Sequence, residues 1–126
     1  MSKIVITGGL GYIGTQLSKL YIEDNLNHEV HIVDSRFLPE RVKELKSWGF
    51  KYHQVDILDK EFFQDMLSDA DIVYHLAGVT DVAYVKSESN DEQDNKIKTV
   101  GIDGTNNIIQ SVGETTKLIF PSTHVV

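Results

Sequence analysis

Four closely spaced glycines near the amino end are the residues of this chain best suited to bind an anion. Gly9, Gly11 and Gly14 have the spacing G-x-G-x-x-G, and Gly8, Gly11 and Gly14 have the related spacing G-x-x-G-x-x-G. The first pair permits a tight turn and lets the main chain approach a pyrophosphate where a Cβ atom would collide, and Gly14 lets the following helix pack closely on the strand. The N-terminus of that helix offers free N–H groups to the anion. The spacing therefore predicts a bound dinucleotide.

A carboxylate follows the glycines at the distance that such a site requires. The apolar run 30–33 ends in Asp34, twenty residues after Gly14, and a carboxylate there can accept hydrogen bonds from the adenosine ribose hydroxyls. The alternative is a structural turn followed by an incidental surface aspartate, but strand, glycine turn and carboxylate together favour the dinucleotide. Asp34 favours NAD over NADP, because the 2′-phosphate of NADP would face a like charge, although Arg36 could offset that repulsion.

The composition argues against several classes of protein. Nineteen acidic and twelve basic residues give a net charge of −7 with no basic cluster, which argues against nucleic acid or an anionic membrane as a partner. The absence of cysteine excludes disulfides and thiolate catalysis. No apolar run approaches the length of a membrane span or a signal-peptide core. We therefore expect residues 1–126 to form one soluble, cytoplasmic domain at most.

Strand-like and helix-like segments alternate along the chain. Apolar runs predict strands at 4–7, 29–34, 50–55, 71–77 and 118–120. Apolar stripes at helical spacing predict helices at 12–25, 40–48, 59–68 and 91–113. The inner stripe of the first helix is predicted to contain Ile13, Leu17, Leu20 and Tyr21. The near-continuous apolar character of 71–77 is typical of a strand buried on both faces of a parallel sheet.

This alternation predicts an α/β fold of the Rossmann type. The expected architecture is a doubly wound parallel sheet with right-handed crossovers and strand order 3-2-1-4-5. A ligand is then expected across the carboxyl ends of the first and fourth strands, where the strand order reverses.

Short segments along the whole chain carry a resemblance to a known superfamily. They are Thr7-Gly8-Gly9-Leu10-Gly11-Tyr12-Ile13-Gly14, Asp34, Asp56-Ile57, His75-Leu76-Ala77-Gly78, Gly104-Thr105-Asn106 and Ser122-Thr123-His124-Val125-Val126. In these segments the chain resembles the extended short-chain dehydrogenase/reductase superfamily, in its NAD-dependent epimerase/dehydratase branch acting on nucleotide sugars. The resemblance implies NAD as cofactor and a nucleotide sugar as substrate, with a possible homodimer for the full-length protein.

The resemblance also implies which further residues bind the cofactor. It implies that Tyr12 and Ile13 of the glycine motif bind the cofactor and that Asp56 and Ile57 contact the adenine. It also implies that the backbone of Leu76, Ala77 and Gly78 lines the nicotinamide side. Asp56 has an alternative role as the cap of the following helix. Gly101 stands where the family has an asparagine, so the family's structural hydrogen bond to the fourth strand is not expected here.

The catalytic part of the resemblance is incomplete. Thr123 takes the place of the family's catalytic serine or threonine, with Ser122 as the neighbouring alternative. The family's general base is a tyrosine in Y-x-x-x-K, and none of the five tyrosines has a lysine four residues on. We therefore expect an N-terminal fragment that ends before the catalytic Tyr/Lys pair and the substrate domain, and that is inactive alone. No metal site is expected from the histidines.

For the parent protein the resemblance implies a nucleotide-sugar epimerase, in which NAD⁺ takes a hydride from a sugar carbon and returns it to a keto intermediate. A dehydratase is less favoured, because His124 and Val125 stand where dehydratases carry an Asp-Glu pair. Two alternatives stay open. One is another dehydratase or reductase of the same superfamily, and the other is a non-catalytic NAD-binding module.

Overall fold

A five-stranded sheet with helices packed on it dominates the computed structural model, which describes residues 2–23, 28–77 and 99–120. The strands are β1 (Ser2–Thr7), β2 (His28–Asp34), β3 (Lys51–Gln54), β4 (Ile72–His75) and β5 (Lys117–Ile119). The helices are α1 (Tyr12–Glu23), α2 (Pro39–Ser47), α3 (Lys60–Leu67) and α4 (Thr105–Ser111), and a π-helical segment, Thr99–Gly104, leads directly into α4. None of the helices in these ranges is both long and apolar enough to cross a membrane.

The strand order is the predicted one. The sheet runs β3-β2-β1-β4-β5, and all four strand pairs are parallel. The order reverses between β1 and β4, where Thr7 pairs with Val33 of β2 on one side and with His75 of β4 on the other. The carboxyl ends of these three strands therefore meet at the point where doubly wound sheets bind ligands.

Each face of the sheet carries its own hydrophobic core. Because successive strand residues point to opposite faces, Val5 of β1 packs in one core while Ile4 and Ile6 pack in the other. The first core is completed by α3 and α4, chiefly through Phe63, Leu67 and Ile108. The second is completed by α2 through Val42 and Leu45 and by α1 through the half-buried Leu17 and Tyr21.

Local signals in the sequence set the ends of the short helices. Pro39 begins α2, where its missing N–H costs no hydrogen bond. Gly49 follows that helix with φ +83°, a conformation that glycine adopts without strain. The Asp59 carboxylate caps α3 by accepting a hydrogen bond from the N–H of Phe62 at 3.1 Å.

The predicted inner face of α1 is partly wrong. Leu17 and Tyr21 pack against the core as expected, but Ile13 and Leu20 are 60% and 62% exposed. Ser18 is completely buried in their place, and its hydroxyl donates a hydrogen bond of 2.8 Å to the carbonyl of Gly14. Small side chains let this helix approach the sheet closely, and a search for large apolar residues overlooks such a face.

Three predicted element boundaries also differ. The third and fourth strands are shorter than predicted, and Phe50 precedes β3 instead of starting it. Burial alternates along β4, with Val73 and His75 buried and Ile72 and Tyr74 half-buried, so this strand is not equally buried on both faces. The predicted helix 91–113 contains a change from π to α geometry and ends at Ser111, and its residues 91–98 lie outside the described part of the chain.

Candidate functional site

The turn between β1 and α1 is held between the ends of two neighbouring strands. Gly8 has φ +67°, and its N–H donates a hydrogen bond of 2.8 Å to the carbonyl of Val33. A Cβ atom on Gly8 would lie 2.8 Å from the main-chain carbonyl carbon of Leu76 and from the nitrogen of Ala77. Both the dihedral angle and the space therefore require glycine, as expected for a tight turn.

Gly9 and Gly14 serve close packing, although the contact of Gly14 differs from the one predicted. A Cβ atom on Gly14 would lie 2.6 Å from the Cα atom of Gly9, so the helix packs on the turn and not directly on a strand. It is Gly9 that contacts the strand, since a Cβ atom there would lie 2.4 Å from Cγ2 of Ile32 in β2. The tight packing of helix on strand is thus shared between the two glycines.

Gly11 differs from the other three because the protein leaves space beside it. A Cβ atom on Gly11 would meet the carbonyl oxygen of Gly8 at 3.4 Å and Nη2 of Arg36 at 3.9 Å, which are ordinary contacts. The N–H groups of Tyr12 and Ile13, in the first turn of α1, have no intrahelical acceptor. The fold therefore does not require glycine at this position, and this is compatible with the predicted approach of an anion to the main chain.

Asp34 lies at the carboxyl end of β2, and its carboxylate is fully engaged. Oδ2 accepts a hydrogen bond from the N–H of Leu10 at 3.1 Å, which ties the strand end to the glycine turn. Oδ1 accepts one from the N–H of Arg36 at 3.0 Å. The Arg36 guanidinium adds two more, from Nε to Oδ1 and from Nη2 to Oδ2, both at 3.2 Å. The predicted ribose-binding carboxylate is thus buried, oriented by two main-chain donors and paired with a cation.

Two arginines and a tyrosine complete this side of the turn. The hydrogen bonds from Arg36 to Asp34 raise the pKa of the guanidinium, so Arg36 stays positively charged. Burial and the neighbouring Asp34 charge raise the pKa of Tyr52, whose hydroxyl donates a hydrogen bond to the carbonyl of Arg36. Arg41 of α2 reaches across to donate to the hydroxyl of Thr15 in α1. Two positively charged side chains therefore lie beside the turn, although the chain as a whole has a net charge of −7.

A buried hydrogen-bond chain fixes the end of β4 beside the turn. The Thr7 hydroxyl oxygen accepts hydrogen bonds from the N–H groups of Leu76 at 3.1 Å and Ala77 at 3.2 Å. Its own hydrogen therefore points to Nδ1 of His75, which is 2.8 Å away. This assigns the proton of the neutral imidazole to Nε2, which donates to the hydroxyl of Thr105 at 3.1 Å. Burial lowers the pKa of His75 to about 4, as a neutral ring requires.

The link from α4 to β4 runs through different residues from those of the family pattern. At Gly101, where the family has an asparagine, a Cβ atom would meet nothing within 4 Å. The side chains of Thr105 and His75 make the connection instead. Neither residue was singled out for this role from the sequence, although the histidine and the threonine both stand in the quoted motifs.

Asp56 is exposed and does not cap the following helix, so the capping alternative is wrong. Its carboxylate Oδ1 accepts a hydrogen bond of 2.9 Å from the N–H of Leu58, and Asp59 provides the cap. Asp56 thus lies at the carboxyl end of the sheet, just after β3. Its contact with adenine stays a prediction.

Ile57 is a core residue held by the helix that follows the π-helical segment. Its carbonyl accepts a hydrogen bond of 2.8 Å from the buried side-chain amide of Asn107. A Cβ atom on Gly104 would lie 2.8 Å from Cγ2 of Ile57, so the two segments touch. Asn107 was missed by sequence reasoning, because a polar residue in an amphipathic helix carries no signal of burial.

Most of the predicted cofactor residues meet at one edge of the sheet. The glycine turn, Asp34 and the end of β4 are joined there by direct hydrogen bonds. Two predicted site residues, Gly78 and Thr123, lie outside the described residues, as does the alternative Ser122. The role of each predicted residue toward a ligand stays a prediction.

Comparison with known proteins gives consistent matches along the chain. The model of the 3-beta hydroxysteroid dehydrogenase/isomerase family matches residues 5–126. A UDP-N-acetyl-alpha-D-glucosaminuronate decarboxylase from Bacillus cytotoxicus is 29% identical over 126 residues, which cover 98% of this chain and 37% of the relative. A UDP-glucose 4-epimerase from Mycoplasma genitalium is 29% identical over 84 residues, covering 65% of this chain and 25% of the relative.

The fold is also found in solved structures. A UDP-glucose-4-epimerase from Stenotrophomonas maltophila, crystallised with NAD and formylated UDP-arabinopyranose, has a TM-score of 0.76 at 22% identity. The match covers 98% of this chain and 37% of that enzyme. The chain therefore spans well under half the length of the proteins that it resembles. The matches confirm the predicted superfamily and the Rossmann-type fold.

Proposed function

The chain belongs to the 3-beta hydroxysteroid dehydrogenase/isomerase family, and we propose that it is the NAD-binding part of an enzyme acting on a nucleotide sugar. One observation carries the proposal. At the β1/β4 reversal of the sheet, a helix N-terminus with an uncrowded glycine lies beside a buried, hydrogen-bonded carboxylate. Those are the two elements that bind the diphosphate and the adenosine ribose of a dinucleotide.

The residues present fit this cofactor. Space beside Gly11 would admit a diphosphate to the main chain, and the first turn of α1 contains no acidic side chain that would repel it. Asp34 would accept hydrogen bonds from the ribose, while the Thr7 hydroxyl holds the end of β4 on the opposite side of the turn. When bound, NAD supplies a hydride acceptor and donor. The described part of the chain would bind and orient the cofactor, and Thr123, at the place of the family's catalytic serine or threonine, lies outside it.

The enzyme class that we propose is the epimerase. The curated relatives include a UDP-glucose 4-epimerase, a decarboxylase of a UDP-sugar acid and a dTDP-D-glucose 4,6-dehydratase. All three reactions can begin with oxidation of a sugar carbon. Incubating the whole enzyme of which this chain is the proposed NAD-binding part with NAD⁺ and UDP-glucose, dTDP-D-glucose or a UDP-sugar acid, followed by NMR of the sugar, separates the three. Inversion at C4 supports the epimerase, whereas loss of water or of carbon dioxide assigns the protein to another class.

Gly11→Ala tests the cofactor site itself. The added methyl group makes only ordinary contacts within the protein, so the free energy of unfolding should stay within about 1 kcal/mol of wild type. It would, however, stand where the diphosphate approaches the main chain. We expect NAD⁺ affinity, measured by isothermal titration calorimetry, to fall at least tenfold.

Gly101→Ala is the matched control. It makes the same chemical change at a glycine outside the glycine turn, where a Cβ atom meets nothing within 4 Å. NAD⁺ affinity should be unchanged in this variant. A Gly11→Ala protein that folds and binds NAD⁺ as tightly as wild type would contradict the proposed cofactor site.

A further inference from the structure

Two histidines, His31 of β2 and His53 of β3, form a hydrogen-bonded pair on the face of the sheet that α3 covers. Nδ1 of His31 lies 2.9 Å from Nε2 of His53. His31 is 5% exposed, and its other nitrogen, Nε2, lies 2.7 Å from Oε1 of Glu29. Hydrogen bonds from His31 and Lys51 lower the pKa of Glu29, so this carboxylate only accepts. Nε2 of His31 therefore carries a proton, and its Nδ1 accepts from the Nε2–H of His53.

This geometry admits one additional proton but not two. A first added proton can reside on either ring, since the other ring still accepts across the 2.9 Å contact. A second leaves N–H donors on both facing nitrogens and brings two positive charges together. Burial lowers the pKa of His31, and burial together with the neighbouring His31 lowers the pKa of His53. Protonation of both rings therefore requires them to separate.

The charges around the histidine pair do not compensate two imidazolium rings. Glu29 is the carboxylate that contacts the pair, and it already accepts a hydrogen bond of 3.3 Å from Lys51. Lys3 of β1 is bound to the exposed Asp69 at 2.6 Å, and the two lysines lower the pKa of both histidines. The helix α3 contributes the uncharged ring of Phe62, whose centroid is 5.5 Å from that of His53. One shared carboxylate thus faces two rings that can each gain a charge.

The strand β3 has few other contacts to hold it in place. It is four residues long, lies at the edge of the sheet and pairs with β2. Its Tyr52 and His53 are half-buried on opposite faces of the sheet, whereas Lys51 and Gln54 are exposed. A short edge strand without a fully buried side chain belongs to the least stable part of a fold. On the face covered by α3, the histidine pair is the buried link between β3 and β2.

We propose that the histidine pair is a pH switch for β3, which holds this strand on β2 until both rings are protonated and then releases it. The strand carries Tyr52, whose hydroxyl donates to the carbonyl of Arg36, and it leads to Asp56, the predicted adenine contact. Release of β3 should therefore also weaken binding of the cofactor. That consequence rests on the proposed function, whereas the release of the strand does not.

Hydrogen–deuterium exchange between pH 7.5 and 5.0, corrected for the intrinsic effect of pH on exchange, measures the release. Amides of β1, at the centre of the sheet, report global unfolding, which low pH also favours through His75. We expect the protection factors of the β3 amides to fall at least tenfold relative to those of β1. Loss of protection in both strands at the same pH would overturn the proposal.

Two histidine variants separate the switch from other effects of pH. His53→Gln removes the titrating ring, while its side-chain amide can still donate to Nδ1 of His31, so the protection of β3 relative to β1 should no longer depend on pH. His28→Gln is the matched control, because it removes a histidine from β2 on the opposite face, beside Tyr21. It should behave as wild type. A His53→Gln protein that keeps the wild-type pH dependence would contradict the switch.

If His53→Gln does not fold, NMR of the wild-type rings gives the answer. The pair should take up its two protons in separate steps, and the second step should coincide with the loss of protection in β3. Two independent midpoints near the ordinary value of 6.5 would show that the rings do not form a switch.

Calorimetry of NAD⁺ binding tests the consequence for the cofactor. Between pH 7.5 and 5.0 the affinity of wild type should fall at least threefold more than that of His53→Gln or, failing that variant, should fall in parallel with the protection of β3. An affinity that does not follow the release would overturn the link to the cofactor site. A protein that binds no NAD⁺ at pH 7.5 would instead refute the proposed function, and the exchange experiment would still decide the switch.

Discussion

Lowering the pH should destabilise this protein through one side chain in particular, the buried His75. Its imidazole is 2% exposed and takes part in two hydrogen bonds that require the neutral ring, accepting from Thr7 and donating to Thr105. Protonation would put a second donor on Nδ1, facing a hydroxyl oxygen that already accepts two main-chain N–H groups. The folded state therefore excludes the proton that the unfolded chain takes up readily.

The size of the effect follows from the pKa shift. In the unfolded chain His75 binds a proton near pH 6.5, and in the fold burial lowers this pKa to about 4. Between these values the unfolded state binds more protons than the folded state, so stability decreases as the pH falls through this window and levels off below it. Each pH unit corresponds to about 1.4 kcal/mol, so the loss approaches about 3 kcal/mol. That is a substantial part of the 5–15 kcal/mol typical of a whole domain.

Urea unfolding at a series of pH values from 7.5 to 3.5 measures this loss. Other groups titrate in the same range, so the informative quantity is the difference between wild type and His75→Asn. The asparagine can accept the hydrogen bond from Thr7 and carries no titrating group. This variant should be less stable than wild type at pH 7.5, and the difference should shrink by about 3 kcal/mol between pH 6.5 and 4.

Parallel pH profiles for the two proteins would refute the argument that the buried ring is neutral. If His75→Asn does not fold, NMR of the wild-type ring gives the same answer. The proton should reside on Nε2 and the ring should not titrate above pH 5. A midpoint near 6.5 would show that the Thr7–His75–Thr105 chain does not hold the imidazole in its neutral form.

Two further variants test the packing around the site. Gly8→Ala forces a side chain into a φ of +67° and within 2.8 Å of the Leu76 and Ala77 main chain, so it should cost at least about 2 kcal/mol of unfolding free energy in urea; a change below 0.5 kcal/mol would contradict this geometry. Asn107→Ala leaves the carbonyl of Ile57 without its buried donor and should cost about 1–3 kcal/mol. If thermal melting of that variant matches wild type, the amide is not needed to hold α4 on this loop.

The doubly wound sheet was predictable because alternation restricts the topology. Each of the first four apolar runs is short and is followed by a helical stripe, and parallel strands joined by helices have few allowed topologies. The glycine spacing and the acid at the end of the second strand predicted a candidate site at one edge of the sheet, and the structure brings these residues together there. These signals are local in sequence, so a single chain carries them in full.

The features that sequence reasoning missed depend on side-chain geometry and packing that only the folded chain shows. The hydrogen bonds from the Arg36 guanidinium to the Asp34 carboxylate depend on the rotamer of the arginine. The hydrogen bond between His75 and Thr105 joins residues thirty positions apart. The inner face of α1 was misassigned because hydrophobic periodicity rewards large side chains such as Ile13, whereas close packing of a helix on a turn selects small ones such as Ser18. No pattern in one sequence distinguishes these cases.

The glycine motif combines two separate physical requirements. Gly8, Gly9 and Gly14 are required by the fold, because a Cβ atom on any of them would lie within 3 Å of other protein atoms. Gly11 is the one of the four that meets no such obstacle, so the fold leaves room there for the proposed diphosphate to approach the main chain. A protein that kept the fold and abandoned the cofactor could therefore replace Gly11 freely but not the other three. Of the four glycines, Gly11 is therefore the one that supports the proposed binding of a dinucleotide.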